Sequence, residues 1–352
     1  MWNTYVSNTL AGTSNNYILE WDAPETIESR SCFQLCEYGH FTWRFWFSNA
    51  VDSTFDDGSV AWADKPGGEW KILSAAVGVS DTKDGEPDAW YPVTFGGKSE
   101  KTVTPNERFW SDPRDFAVEP GRYLVFRWTV EGNGIPCTPD SQIPSYIEQD
   151  GGLLFEPYCP KPNLIACNRK VKRRVAFLGD SITQGCETVN DKYEFWSAKI
   201  GKALGTDYSV WNLGLGFGRA YDAARDGAWL YRARKMDSVV VCFGVNDILR
   251  GRTARQVCTD LATIVDLLHQ SGCRVVLFTT PPFDLFTPEQ QAVWREVNRF
   301  VRAADFPDAV FDIASVLGHS APNEAVPQYG GHPNGEGGTA VAEAFLAKNI
   351  KL

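Results

Sequence analysis

The chain has 352 residues, of which 43% are hydrophobic and 22% are charged. This composition supports a sizeable core and excludes a mainly disordered chain, and the length predicts two domains or one large one. Asp and Glu outnumber Lys and Arg by 44 to 34, which gives a formal net charge of −10. That balance argues against a nucleic-acid surface, and no apolar run approaches the ~20 residues that a membrane span needs.

The first half of the chain has the pattern of short strands separated by turns. Predicted strands lie at 41–49, 70–78, 90–95, 101–104 and 122–130, and turn signals lie at 56–58, 66–68, 84–85, 96–97 and 120–121. This pattern predicts an antiparallel β-sandwich or jelly roll. The stretch 131–170 is rich in Gly, Pro, Asn and Asp, and we expect a connector there without clear elements. We therefore assign residues 1–167 to a β-module that includes this connector.

The second half, residues 168–352, alternates short apolar runs with longer helical segments. The predicted strands are 173–178, 207–212, 238–243, 274–279 and 308–312, and the predicted helices are 191–204, 219–234, 253–271, 287–304 and 336–349. Units of this kind predict a parallel sheet with helices on both faces. Because sites in such sheets form at the carboxyl ends of the strands, the residues after each strand are the candidates for chemistry.

Three of these strand ends carry residues suited to acyl transfer. The first is followed by Ser181, whose hydroxyl can be a nucleophile if a base activates it, although it could instead cap a helix. The second is followed by Gly214, Gly216 and Gly218, which allow backbone N–H groups to form an oxyanion hole. The third leads to Asn246, whose amide can donate to developing negative charge or simply hold a turn.

The choice of a general base is narrow because the chain has only four histidines. His40 lies in the β-module, His269 ends a predicted helix, and His319 follows the last strand. His332 lies in a glycine-rich loop just before the last predicted helix, from which it can reach the carboxyl edge of the sheet. We therefore expect His332 to be the base.

The cysteines and the first residues of the chain predict whether the protein binds a metal and in which cellular compartment it lies. Nine cysteines have irregular spacing, and several lie in apolar runs, which favours buried free thiols in a reducing compartment. Cys32 and Cys36 could form half of a metal site, but no matching His/Cys pair has zinc-binding spacing, so we expect no metal. The first residues lack the basic and apolar regions of a secretory signal, so we expect a cytoplasmic protein.

Four sequence blocks in order resemble the SGNH (GDSL-type) hydrolase superfamily across residues 172–350. They are Gly-Asp-Ser-Ile-Thr at 179–183, the glycine block at 214–218, Gly-x-Asn-Asp at 244–247 and His-Pro-Asn at 332–334. The resemblance implies a flavodoxin-like three-layer α/β/α fold. It also implies ester hydrolysis without a metal or any other cofactor.

The same resemblance implies a role for each matching residue. Ser181 would be the nucleophile, its backbone N–H would point into the oxyanion hole, and His332 would be the general base. Asn246 would donate its side-chain amide to the oxyanion. The glycine donor would be Gly218 if the loop has one inserted residue, and Gly216 otherwise.

The chain departs from the family pattern three residues before the histidine, where the family usually has Asp and this chain has Tyr329. Tyr cannot be the carboxylate that orients the imidazole. Family 2 carbohydrate esterases are members that work with a Ser–His dyad, in which a backbone carbonyl or an aromatic ring holds the histidine, and we favour a dyad here. A carboxylate from elsewhere, Glu324 or Asp312, is the weaker alternative. We expect Asp180 and Tyr329 to support the site without contacting substrate.

Segments of the first half resemble the β-module of bacterial SGNH esterases associated with plant-polysaccharide use. They are Ser48-Asn49, 93–97 and 109–113. We therefore expect a bacterial serine esterase that removes short acyl groups, most simply O-acetyl, from a small-molecule or oligosaccharide ester. Aryl esters, lipid esters and thioesters are alternative substrates, and a carbohydrate-binding protein with an impaired esterase domain is the rival function. The β-module could bind sugar, wall the cleft or form a homo-oligomer.

Overall fold

The computed structural model describes residues 4–35, 38–53, 64–139, 142–320 and 322–352. Cys36 and the predicted turn at 56–58 lie outside these residues. The strands of the first half are β1 (Val6–Thr9), β2 (Tyr17–Leu19), β3 (Glu25–Phe33), β4 (Gly39–Ser48), β5 (Ala50–Val51), β6 (Lys65–Pro66), β7 (Trp70–Ser80), β8 (Trp90–Pro92), β9 (Lys101–Val103), β10 (Arg108–Trp110), β11 (Arg114–Val118), β12 (Tyr123–Gly132), β13 (Ile135–Cys137), β14 (Ser145–Gln149), β15 (Gly152–Phe155) and β16 (Leu164–Cys167).

The second half contains both strands and helices. Its strands are β17 (Arg173–Gly179), β18 (Tyr208–Gly214), β19 (Ser238–Cys242), β20 (Arg274–Phe278) and β21 (Ala309–Phe311). Its helices are α1 (Ser181–Gln184), α2 (Trp196–Leu204), α3 (Ala220–Ala223), α4 (Ala228–Ala233), α5 (Val245–Leu249), α6 (Ala254–Gln270), α7 (Pro288–Arg302), α8 (Ile313–Leu317) and α9 (Gly335–Ala347).

Two antiparallel layers face each other in the first half. One contains β4 paired with β10, β11 and β16, and the other has the strand order β15-β14-β3-β12-β7-β8, with β9 also on β7. Because side chains alternate along a strand, Phe45 and Phe47 of β4 point to the same face and meet β12. Phe45 lies 4.8 Å from Phe126 and Phe47 lies 5.4 Å from Trp128, measured between ring centroids. The jelly-roll connectivity expected for this half stays a prediction.

The prediction that residues 131–170 form a connector without clear elements is wrong. The stretch from 131 to 170 holds the end of β12 and the four strands β13 to β16, and β16 is buried along its whole length. These strands have only three to five residues each, so the Gly and Pro residues of the turns between them dominate the sequence pattern. Composition averaged over the stretch therefore concealed them.

The second half is a parallel sheet of strand order β18-β17-β19-β20-β21 with helices on both faces, as predicted. Phe177 of β17 points to one face, where its ring lies 5.5 Å from that of Trp196 in α2. Its neighbour Leu178 points to the other face and packs with Leu230 of α4 and Leu261 of α6. The sheet therefore lies between two helical layers, which is the three-layer α/β/α arrangement.

Two predicted helices differ from the structure for the same physical reason. The helix expected at 191–204 begins at Trp196, because Asp191 and Tyr193 have φ values of 59° and 54°, which no right-handed helix contains. The helix expected at 219–234 is split into α3 and α4, and Asp226 between them has φ 56°. Apolar periodicity does not reveal these left-handed residues.

The two halves share one continuous sheet and a buried contact. Strand β1 pairs in parallel with β18 and antiparallel with β16, so the sheet runs through ten strands. The Arg232 side chain of α4 is fully buried and lies 2.6 Å from the Asp52 carboxylate. The domain boundary predicted between residues 167 and 168 lies between β16 and β17, and it stays a prediction.

Two further findings concern the whole described chain. None of its helices combines the length and the apolar character needed to cross a membrane. The eight cysteines within the described residues are free thiols, and six of them are buried.

Candidate active site

Ser181 is the first residue of α1, directly after the tight turn that ends β17. The turn requires Gly179, because a Cβ atom there would lie 2.0 Å from the Thr183 hydroxyl and 2.5 Å from the Cys242 carbonyl oxygen. Asp180 then caps the helix, since its Oδ1 accepts from the Ile182 N–H at 3.0 Å. These contacts place Ser181 at the carboxyl edge of the sheet, where Ser181 Oγ lies 2.8 Å from His332 Nε2.

His332 is positioned by the loop that leads into α9. The loop is closed by Asn334, whose N–H donates to the Tyr329 carbonyl at 3.1 Å and whose side chain caps α9. The imidazole lies edge-on to the ring of Phe283, with ring centroids 5.6 Å apart. The aromatic ring that contacts His332 is therefore Phe283, while Tyr329 packs close to Gly337 of α9.

The carboxylate beside the second ring nitrogen belongs to Glu187, a residue that the sequence analysis did not name. Glu187 Oε1 lies 3.2 Å from His332 Nδ1, and the Glu187 side chain is 70% exposed. The only sequence signal is an acidic residue six positions after Ser181, which by itself predicts nothing. The loop that brings Glu187 to His332 has left-handed backbone at Glu187, where φ is 63°.

The two carboxylates considered as partners of His332, Asp312 and Glu324, make other contacts. Asp312 accepts hydrogen bonds from Arg302 and Ser315; burial raises its pKa, but these hydrogen bonds outweigh burial and hold the pKa below the usual value. Glu324 makes a backbone hydrogen bond to Ser320, and no contact joins it to His332 among the described residues.

The structure brings Asn246 to the glycine block. Asn246 lies in α5, is 8% exposed, and donates from Nδ2 to the Gly218 carbonyl at 3.0 Å. The Gly218 N–H donates to the Leu215 carbonyl at 3.0 Å, whereas the Gly216 N–H has no hydrogen-bond partner within the described ranges. This difference favours Gly216 over Gly218 as the backbone donor. Between the two, Phe217 has a φ of 62° and is 41% exposed.

Two buried carboxyl groups support these loops. Burial raises the pKa of Asp180 to about 7, and it also raises the pKa of Asp247 to about 6. Asp247 accepts from the backbone N–H groups of Ala220 and Tyr221 at 2.9 and 3.2 Å. It thereby ties α3, which follows the glycine block, to α5, which carries Asn246.

Of the two cysteines considered as half of a metal site, Cys32 and Cys36, only Cys32 lies within the described residues. Its buried thiol donates to the Lys83 carbonyl at 2.8 Å, and burial raises its pKa to about 12. In the described part of the chain, no three His, Cys, Asp or Glu side chains form a group that could hold a metal ion.

Comparison with known proteins points to one family. Residues 177–340 match the GDSL-like Lipase/Acylhydrolase family. No curated protein matches the chain. Among solved structures, a member of the lipolytic protein G-D-S-L family from Veillonella parvula DSM 2008 is similar, with 19% identity, 51% of this chain and 99% of that chain covered, and a TM-score of 0.42.

Two other solved structures are also similar. A family two carbohydrate esterase from Clostridium thermocellum, solved in complex with cellohexaose, has 14% identity, with 98% of this chain and 97% of that chain covered and a TM-score of 0.40. The acetyl xylan esterase AlAXEase has 19% identity, with 50% of this chain and all of that chain covered and a TM-score of 0.37. The family assignment rests on the family match, because these identities and TM-scores are low.

Proposed function

We propose that this chain, which through residues 177–340 is a member of the GDSL-like lipase/acylhydrolase family, is a serine esterase that removes short acyl groups from carbohydrates. The family indicates a carboxylic ester hydrolase. The observation that carries the assignment of residues is the 2.8 Å contact between Ser181 Oγ and His332 Nε2. It joins a hydroxyl and a base at the sheet edge where chemistry is expected.

The proposed reaction has two acyl-transfer steps. His332 Nε2 takes the hydroxyl proton as Ser181 Oγ attacks the ester carbonyl carbon, and the resulting tetrahedral intermediate collapses to an acyl-enzyme. The protonated imidazole gives its proton to the leaving alkoxide. Water, deprotonated by the same imidazole, then attacks the acyl-enzyme and releases the acid and free Ser181.

Three donors are proposed for the oxyanion. They are the backbone N–H groups of Ser181 and Gly216 and the side-chain amide of Asn246, which uses one of its two hydrogens on the Gly218 carbonyl. In a comparable protease site, losing one donor raises the barrier by roughly 3–4 kcal/mol. The hydrogen bond to the Gly218 carbonyl leaves the second hydrogen of the Asn246 amide for the oxyanion.

Phe217 supports a sugar substrate. Its exposed ring lies on the glycine block beside the proposed oxyanion donors, where it offers an apolar face to a sugar ring. The tryptophans of the β-module at 43, 46, 70 and 128 are buried in the core, so they are not stacking surfaces. We propose O-acetyl as the acyl group because it is the simplest short acyl group.

The first test is acetate release from acetylated xylan, mannan and pectin oligosaccharides and from an O-acetyl sialic acid. Ser181→Ala removes the nucleophile, so we expect activity to fall at least about 1000-fold with the melting temperature unchanged. Ser320→Ala, an exposed serine on the same half, is the matched control and should keep full activity.

The outcomes separate the alternatives. Equal activity in Ser181→Ala and the wild type would reject Ser181 as the nucleophile. Hydrolysis of p-nitrophenyl acetate without acetate release from any sugar would reject the carbohydrate substrate and keep the esterase. Stoichiometric binding of a sugar without hydrolysis of any ester would favour the carbohydrate-binding protein.

A further inference from the structure

We infer that Glu187 is the positioning carboxylate of this site, so that Ser181, His332 and Glu187 act as a triad in place of the dyad expected from Tyr329. The inference rests on the proposed function, because it assigns a partner to the proposed base. The juxtaposition that carries it is Glu187 Oε1 at 3.2 Å from His332 Nδ1, on the opposite side of the ring from Ser181.

The two contacts of the imidazole are complementary. A carboxylate at Nδ1 accepts the Nδ1 proton and so favours the tautomer whose Nε2 lone pair faces the Ser181 hydroxyl. When Nε2 takes the serine proton, the same carboxylate stabilises the positive charge that forms on the ring. Tyr329 supplies neither effect, because its side chain is not a carboxylate and no contact joins it to His332 Nδ1 among the described residues.

The loop that carries Glu187 is built to hold this geometry. Glu187 has a left-handed backbone, which a non-glycine residue adopts only where its surroundings enforce it. Just before it, Gly185 has φ 102°, and a Cβ there would lie 2.3 Å from the Phe195 ring. Just after it, the Thr188 hydroxyl donates to the Gly185 carbonyl at 2.7 Å and accepts from Gln142 Nε2 at 3.0 Å.

Within the described residues, Glu187 has no ion-pair partner that competes with His332. No lysine or arginine forms an ion pair with it among the residues that the structure describes. Its carboxylate is 70% exposed while the His332 side chain is 20% exposed, so Glu187 reaches the ring from the solvent side. Water screens such a pair, and its effect on rate should be smaller than that of a buried triad aspartate.

The test compares Glu187→Gln and Glu187→Asp with Glu324→Gln, an exposed carboxylate of the same half that has no contact with His332 in the described chain. With p-nitrophenyl acetate as substrate, we expect Glu187→Gln to lower kcat about 10- to 100-fold and to change KM less than about twofold. Glu187→Asp should recover part of the loss, since it keeps the charge. Glu324→Gln should equal the wild type.

Because Glu187 is exposed, a small carboxylate added to the solution can replace its side chain. Rescue of activity in this way would not occur in a variant that had lost activity by unfolding. Glu187→Ala leaves a solvent-accessible space beside His332 Nδ1, so added formate should restore part of its activity in a saturable way. Formate should not restore His332→Ala or Ser181→Ala. Sodium chloride at the same ionic strength should have no such effect on Glu187→Ala.

These measurements distinguish a failure of the proposed triad from a failure of the proposed function. If Ser181→Ala and His332→Ala lose activity while Glu187→Gln equals Glu324→Gln and formate has no effect on Glu187→Ala, the triad is wrong and the proposed function stands. If Ser181→Ala keeps its activity, the proposed nucleophile is wrong and the triad fails with it.

Discussion

Asp180, the residue before the proposed nucleophile, is a carboxyl group enclosed in the core. It is fully buried; its Oδ1 accepts from the Ile182 N–H, while its Oδ2 has no hydrogen-bond partner among the described residues. Burial is the main cause that raises its pKa from 3.8 to about 7, and the nearby Asp247 carboxylate adds to the effect. The folded protein therefore holds a proton at Asp180 under conditions where the unfolded chain has lost it.

The sign of the pH effect follows from this difference. The stability conferred by protonated Asp180 is complete below the unfolded pKa and is lost as the pH rises from about 4 to about 7. Asp180→Asn keeps an oxygen for the Ile182 N–H and removes the titration. We expect the free energy of unfolding of Asp180→Asn, minus that of the wild type, to increase by about 2–4 kcal/mol over this range and then level off.

Urea denaturation at several pH values measures this difference directly. Asp247 titrates in both the wild type and Asp180→Asn, so its contribution to the pH dependence of the unfolding free energy largely cancels in the difference between them. Two unfolding free energies that stay parallel from pH 4 to pH 8 would show that Asp180 is ionised in the folded protein.

At the scale of single residues, the sequence predicts site residues by their type and order, but it does not predict their contacts. Ser181, Asn246 and His332 follow the ends of strands or precede a helix, and the structure brings Ser181 to His332. Glu187 was missed because its distance from His332 depends on left-handed backbone at one residue and on a loop 145 positions away. Residue type and spacing in a single sequence reveal neither.

Helix α9, which follows the His332 loop, depends on tertiary packing. It contains Gly335, Gly337 and Gly338, and each interior glycine costs a helix up to ~1 kcal/mol relative to Ala. The packing explains them: a Cβ at Gly338 would lie 2.1 Å from the Glu194 carbonyl oxygen, and a Cβ at Gly337 would lie 2.8 Å from Tyr329 Cβ. Glycine allows α9 to approach both the segment before α2 and the His332 loop.

We expect Gly338→Ala to destabilise the protein by about 1–3 kcal/mol, because the backbone of Glu194 must move to admit the methyl group. Gly335→Ala in the same helix is the control, since the nearest atom to its Cβ would be the flexible end of the Glu194 side chain, at 2.9 Å, rather than backbone. Thermal unfolding measures both. Equal melting temperatures for the two variants would show that the close approach has no energetic consequence.

The helix boundaries show how far element prediction can go. The predicted bounds of the long helices α6 and α7 lie within two residues of the observed ones, because their apolar residues recur at helical spacing over several turns. In the structure each of them begins after a threonine N-cap with a complete capping box. Strand β3 was not predicted because its first four residues, 25–28, are exposed or half-buried and include Glu25 and Glu28, so the sequence lacks an apolar run there.

At the scale of the molecule, the β-module supports the loops of the proposed site. Tyr123 OH donates to Asp191 Oδ2 at 2.5 Å, and Gln34 Nε2 donates to the same side chain at 3.0 Å. Asn16 Nδ2 donates to the Gly216 carbonyl at 3.2 Å. The module thus contacts loops of the proposed site, while its role as a wall of the cleft stays a prediction.

We expect Tyr123→Phe to lower kcat about 3- to 10-fold, because a hydrogen bond to a charged group contributes about 1.5–3 kcal/mol and its loss loosens the loop from 185 to 193. Tyr91→Phe, in the same module but stacked on Phe116, is the control. Steady-state kinetics and hydrogen exchange of the loop measure the effect. Unchanged exchange in Tyr123→Phe would contradict the supporting role.

The position of β1 in the continuous sheet has a consequence for synthesis of the protein. This strand precedes both of its partners, β16 and β18, by more than 150 residues in the chain. At a translation rate of about 5–20 residues per second, β1 waits roughly 10–40 seconds for β18 to be made. During that time its backbone hydrogen-bonding groups are open to chaperones or to another nascent chain, so the yield of folded enzyme should depend on how fast the ribosome moves.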